Sequence, residues 1–219
     1  MIVINKKQEP KAWVKYRNTP GVSYQSIPTL VESLLEEQGY ICAYCMRRIP
    51  VKDRLCENKK TAEDHRVEHV LSRQNHPEQQ LLYNNMVVCC PGHMGKENHC
   101  DRLKGERDVT FNLFVQNFID TLSYKTDGEI VSSNDQYNKE INEVLNLNTP
   151  LLKTNRISAW NSVKKNLISN QKNKPWTKSE LSKYIKMYSS MHNNGGKMHY
   201  IPYCGVVLYF LHKKMRQLP

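Results

Sequence analysis

Long apolar runs are missing from this 219-residue chain. The longest, Met86–Cys90 and Val206–Leu211, fall far short of the roughly 20 residues that span a bilayer. Mean hydropathy is −0.68, and hydrophobic residues at 39% with charged ones at 24% are ordinary for a folded, water-soluble chain. Membrane-spanning and disordered classes are thereby excluded. The opening stretch MIVINKKQEPKAW lacks an apolar h-region and a small-residue cleavage site, so the expectation is a cytoplasmic protein. Internal repeats and low-complexity tracts are absent too, and the length suits one large domain or two small ones.

Acidic side chains are almost missing from the last third. Residues 151–219 hold 13 Lys and Arg against one acid, Glu180, a balance of +12. Residues 1–150 hold 19 against 20, a balance of −1, so the whole +11 comes from the C-terminal third. Such a footprint fits a surface that faces nucleic acid, and equally a solvated face that aids solubility.

What the chain does have is cysteine, seven in all. In a reducing compartment clustered cysteines bind metal more often than they form disulfides. Cys42, Cys45, Cys89, Cys90 and Cys100 lie close in sequence, while Cys56 and Cys204 stand apart as spectators. Cys42-Ala-Tyr-Cys45 has the spacing of a knuckle that turns two thiolates onto one ion, with a distant second pair completing a tetrahedron. Cys100 is a natural third zinc ligand and Cys90 or Cys89 a fourth, with His93 and His99 in reserve.

Periodicity places these residues on short elements. The chain to about Pro28 reads as irregular, broken by Pro10, Pro20 and Gly21. Thr29 to Glu32 reads as a capping box opening a helix that buries Leu30, Val31, Leu34 and Leu35 and stops at Gly39. His65–Val70 and Met86–Cys90 read as strands, and His99–Lys104 as a short helix ended by Gly105. A hairpin is expected over 119–133, with 109–118 open. Helices are expected over Asp135–Leu147, Leu152–Ile168, after the capping box Thr177-Lys-Ser-Glu180, and over 203–216, with linkers at Ser169–Pro175 and His192–Gly196. Trp13, Trp160 and Trp176 read as packing anchors, and Tyr40 and Tyr44 as part of a small core around the metal.

Between the cysteine groups lies Asp64-His-Arg-Val-Glu-His69, which offers two acid–histidine pairs, Asp64–His65 and Glu68–His69. In phosphodiester hydrolysis a carboxylate can hold a divalent cation against the phosphate while a neutral imidazole takes the proton of the attacking water.

Read together, Cys42-Ala-Tyr-Cys45, Glu68-His69-Val70, Asn85-Met86 with Cys90 five residues on, and Cys100-Asp101-Arg-Leu-Lys104 resemble the zinc-braced HNH, or ββα-metal, nucleases. The Asn85 to Cys90 spacing selects Cys90 over Cys89 and Asn85 over Asn84. The chain departs from the family in having Glu68 where Asp is more frequent, and in the longer Pro91–His99 insertion before Cys100. Leu34-Leu-Glu-Glu-Gln, Tyr83-Asn-Asn-Met, His99-Cys-Asp-Arg-Leu-Lys-Gly105, Ile141-Asn-Glu-Val-Leu-Asn-Leu-Asn148 and Asn155-Arg156 narrow the resemblance to the PtuB proteins. These are the nuclease subunits of Septu-type and retron-associated anti-phage defence.

The resemblance implies an α+β fold: a zinc-braced ββα-metal module over 29–108 after an irregular segment 1–28, then a hairpin and a mostly helical, basic region over 109–219. It implies a structural zinc on Cys42, Cys45, Cys90 and Cys100. His69 is then the general base, with Glu68 and Asn85 holding a catalytic magnesium or manganese. Asp101 stands at the last HNH position, and Lys104 would contact phosphate or cap its helix. The implied partners are a PtuA-like ATPase of the ABC/SMC type, nucleic acid (DNA ahead of RNA), and in retron settings a reverse transcriptase with its multicopy single-stranded DNA. The rival expectations are an RNA-cleaving, tRNA-directed toxin and a non-catalytic zinc module that binds nucleic acid or protein.

Overall fold

The computed structural model describes residues 1–49, 65–94, 97–169 and 176–218. Cys56, Asp64, Lys172, Lys174 and the linker from residue 170 to Pro175 lie outside the described residues. The fold is α+β. Its helices are α1 (Lys11–Arg17), α2 (Pro28–Glu37), α3 (Asp101–Lys104), α4 (Gln116–Asp120), α5 (Asp135–Lys139), α6 (Pro150–Ser169), α7 (Lys178–Ser189) and α8 (Cys204–Gln217). Among the described residues four antiparallel strand pairs accompany them: β1 (Arg66–His69) with β2 (Met86–Cys89), β3 (His93–Met94) with β4 (Glu97–Asn98), β5 (Leu122–Tyr124) with β6 (Ile130–Ser132), and β7 (His192–Asn194) with β8 (Lys197–His199). Among the described residues no helix is long and apolar enough to cross a membrane.

Several local expectations are corrected. The segment before Pro28 contains α1, because Pro10 sits at the helix start, where its fixed φ is favourable, rather than breaking a helix. At α2 the proline occupies the first helical turn and Ile27 the cap, so the Thr29–Glu32 box does not form. Glu32 instead accepts hydrogen bonds from Tyr40 Oη (2.7 Å) and Lys197 Nζ (2.5 Å). The helix that starts at Asp135 turns into a π-helix over Glu140–Val144, and His192–Gly196 forms the β7–β8 hairpin instead of a linker. The Thr177 box is made as expected, with both reciprocal hydrogen bonds.

The three expected segments share one core. It runs from Met1, Ile4 and Trp13 through Leu34, Met86 and Val88 to Phe111, Leu145, Leu181 and Leu211. Helix α8 packs against α6, α7 and β5, and α2 packs against β2 and β8. Trp13 is buried against Tyr16, and Trp160 stacks on Phe210 at 5.0 Å, so both act as packing anchors. Arg156, buried in α6, donates to the carbonyls of Gly128 (2.5 Å) and Leu147 (2.7 Å), tying two loops to the helix.

The C-terminal segment closes over the knuckle region. Gly39 ends α2 at φ +56°, and a Cβ there would lie 2.6 Å from the Tyr200 ring. Tyr200 N donates to Gly39 O, and Tyr203 N to Met46 O, both at 3.0 Å. Arg48 donates to the Gly39 and Tyr200 carbonyls, and His199 stacks on Tyr40 at 4.4 Å.

Candidate metal centre and the polar cluster beside it

Four thiols converge from three parts of the chain. Cys42 and Cys45 sit in a turn closed by Cys42 N to Arg47 O (2.9 Å) and Met46 N to Cys42 O (3.0 Å). Ala43 N donates to Val88 O at 3.0 Å and so fastens this turn to β2, whose end delivers Cys90. Cys100 precedes α3 with φ +54°, held by its N–H on Leu145 O at 2.8 Å. The four Sγ atoms lie within 4.8 Å of one another and all are buried.

The geometry fits zinc. A tetrahedron with Zn–S bonds of about 2.3 Å has S···S edges of about 3.8 Å. Cys42 to Cys100 is 3.9 Å and Cys45 to Cys90 is 3.7 Å. Burial pushes the Cys45 and Cys100 thiols well above their ordinary value. Burial opposes ionisation of Cys42 too, but hydrogen bonds from Cys100, Cys45, Cys89 and Cys90 outweigh it and hold Cys42 well below. Cys90 is also lowered, to about 7, first by its hydrogen bond with Cys100, so two thiols of the four favour ionisation and a dication would complete the arrangement by displacing the remaining protons. His99, the reserve ligand, places Nδ1 3.1 Å from Cys100 Sγ, as a hydrogen bond to the sulfur. Cys89, also buried and raised by burial, is outside the group of four.

The β1–β2 hairpin pairs Glu68 with Val87 and His69 with Met86. Successive strand residues face opposite ways, and the partners of the two side chains differ accordingly. His69 is 5% exposed. Its ring meets the Tyr24 ring edge-on at 4.5 Å, and Nε2 lies 3.0 Å from Gln80 O. A carbonyl only accepts, so Nε2 carries the proton and Nδ1 keeps its lone pair. Burial pulls the His69 pKa down to about 4, so the ring is neutral at pH 7.

Glu68 lies on the side of Tyr44 and α3. Its Oε1 accepts from Tyr44 Oη at 3.1 Å and pairs with Lys104 Nζ at 2.7 Å. The Lys104 side chain is fully buried and also donates to the His69 carbonyl at 3.0 Å. Burial, then the neighbouring Asp101 carboxyl, push Glu68 well above the ordinary carboxylate range against the pull of Lys104. Asp101 itself pairs with Arg66 at 3.1 Å.

Two expected roles change here. Asn85 does not stand open to a cation. Its Oδ1 accepts from Leu71 N at 2.8 Å and its Nδ2 donates to Leu71 O at 2.9 Å, which braces the loop between the strands. Asp101, not Asn85, is the oxygen donor beside Glu68. Lys104 neither faces solvent nor caps α3, since it is buried beneath β1. Sequence reasoning also missed Tyr24 and Gln80, which set the surroundings of His69, and Tyr44, expected in the core around the metal, also donates to Glu68. An open cleft of about 420 Å³ borders this loop, lined in part by Val70, Leu71, Leu82 and Phe114.

No protein-family model matches the chain, and no curated protein matches it.

Proposed function

We propose that this chain is an endonuclease of the zinc-braced ββα (HNH) type, hydrolysing phosphodiester bonds in nucleic acid, DNA ahead of RNA. The observation that carries the reading is the state of His69. It is a neutral imidazole with its tautomer fixed by Gln80 and Nδ1 left as an acceptor, on a hairpin that a four-cysteine cluster ties to a short helix. In the proposed step a water oxygen attacks phosphorus and the bond to one bridging ester oxygen breaks. The water proton passes to His69 Nδ1, and the departing oxygen takes a proton from solvent. The zinc supplies structure, holding the knuckle, β2 and α3 together.

The charge pattern supports a polyanionic substrate. On α6, α7 and α8 the side chains of Lys164, Lys165, Lys178, Lys183, Lys186, Lys213, Lys214 and Arg216 are exposed, and the sole acid of that region, Glu180, is engaged in a helix cap. Uncompensated cations of this kind bind phosphates by releasing counterions. With the resemblance to PtuB proteins, the proposal extends to an effector of an anti-phage complex, controlled by an ATPase partner.

The second reading, a non-catalytic zinc module, is favoured by the satisfied state of Glu68 and Asn85. Cleavage of supercoiled plasmid and of total tRNA separates the two. The purified zinc-loaded chain is assayed with Mg²⁺ or Mn²⁺, alone and with a PtuA-type ATPase, against His69→Ala. Nicking lost in the variant at unchanged zinc content establishes the nuclease. Absence of cutting under every condition, with zinc bound, selects the module.

A further inference from the structure

The divalent ion implied by the resemblance and the residues named for it do not agree. Asn85 gives its amide to the Leu71 backbone, and Glu68 already holds a cation. Lys104 reaches Glu68 from α3 with its side chain fully buried, and its Nζ lies 2.7 Å from Oε1. The same ammonium donates to His69 O at 3.0 Å, and Tyr44 Oη shares Oε1 at 3.1 Å. A Mg²⁺ or Mn²⁺ ion bound to that oxygen would sit about 2.1 Å from it, beside an ammonium that has no water to retreat into. Like charges on one carboxylate oxygen repel strongly in a dry site.

We propose that Lys104 is the resident cation of this cluster: its ammonium takes the seat on Glu68 Oε1 that the resemblance gives to a divalent ion, and keeps Mg²⁺ and Mn²⁺ off that oxygen. Lys104 is thereby a positioning residue. It locks α3 to β1 through the Glu68 carboxylate and the His69 carbonyl, and so fixes where the imidazole stands. The inference concerns the cluster used by the nuclease reading, yet it is read by ion binding, and a chain that cuts nothing still answers it.

The test is paramagnetic broadening of backbone amide signals in the zinc-loaded full chain titrated with Mn²⁺. Up to equimolar Mn²⁺, the amides of Glu68, Asp101 and Lys104 are expected to keep their intensity relative to the rest of the chain. Selective loss of those signals at equimolar Mn²⁺ overturns the proposal. Lys104→Met supplies the converse: it is expected to tighten Mn²⁺ binding at least tenfold, and adding Glu68→Gln is expected to remove the gain. A Lys104→Met chain that keeps its zinc and gains no Glu68-dependent binding also overturns it. If that variant loses its zinc, the wild-type titration alone decides.

Discussion

Cys89 and Cys90 are neighbours in sequence, and only one of them belongs to the four-thiol group. Replacing each in turn tests the metal centre at its most specific point. A structural zinc in a four-cysteine site stabilises its fold by about 10–16 kcal/mol in apparent terms, so one of four thiolates carries roughly 3 kcal/mol. Cys90→Ser is therefore expected to weaken zinc binding about a hundredfold and to lower Tm by about 10 °C, taking about 2–4 °C per kcal/mol for a chain of this size. Cys89→Ala removes a buried thiol that packs as a small hydrophobe, costing about 1 kcal/mol and about 2–4 °C. Its zinc content should stay at one per chain. The assay is metal analysis of the purified proteins, with thermal unfolding followed by circular dichroism before and after a zinc chelator. A Cys89→Ala chain that loses its zinc while Cys90→Ser keeps it refutes the assignment. A wild-type chain whose Tm ignores the chelator refutes the centre itself.

Four other outcomes are expected. For His69 the folded pKa of about 4 lies below the unfolded value of about 6.5, so the unfolded chain takes up a proton first as pH falls. Stability is fully present above about pH 6.5 and declines towards pH 4 by up to about 3 kcal/mol, and His69→Asn should remove that part of the slope in urea unfolding. Cleavage, if His69 is the base, should be level from pH 6 to 8 and fall only at about pH 4. Replacing Lys164, Lys165, Lys183 and Lys186 by Ala in a His69→Ala background should reduce the slope of log K against log salt for duplex DNA by up to about 3.6. An unchanged slope, read by fluorescence anisotropy, removes α6 and α7 from the DNA-facing surface. Gly39→Ala should cost about 2 kcal/mol or more, because φ is +56° and its Cβ would meet Tyr200 at 2.6 Å. A Tm within 1 °C of wild type would contradict that.

The sequence was most legible where chemistry is local. The Cys-x-x-Cys turn, the strands β1 and β2 and the Thr177 capping box follow from patterns a few residues long, and all stand where expected. Asn85 illustrates the opposite case. An amide that faces a cation and one that braces a loop have the same letter, and only the folded backbone of Leu71 distinguishes them. Lys104, expected to contact phosphate or cap its helix, is buried instead, because its counter-ion lies 36 positions away at Glu68, beyond the reach of local pattern. Asn193-Asn-Gly-Gly196 is a turn composition suited to the β7–β8 hairpin, and Pro10 and Pro28 mark helix starts as readily as breaks.

The docking of Tyr200 and Tyr203 onto the knuckle region has a consequence for how the protein is made. The four thiols are all present once Cys100 has left the ribosome, yet the backbone that covers Gly39 and Met46 is translated about a hundred residues later. At 5–20 residues per second that delay is roughly 5–20 s. During that interval the nascent chain holds all four thiols but lacks the backbone that closes over the knuckle region. A ribosome stalled before the codon for Tyr200 therefore leaves an unfinished molecule in which the Gly39 and Met46 carbonyls lack their C-terminal partners.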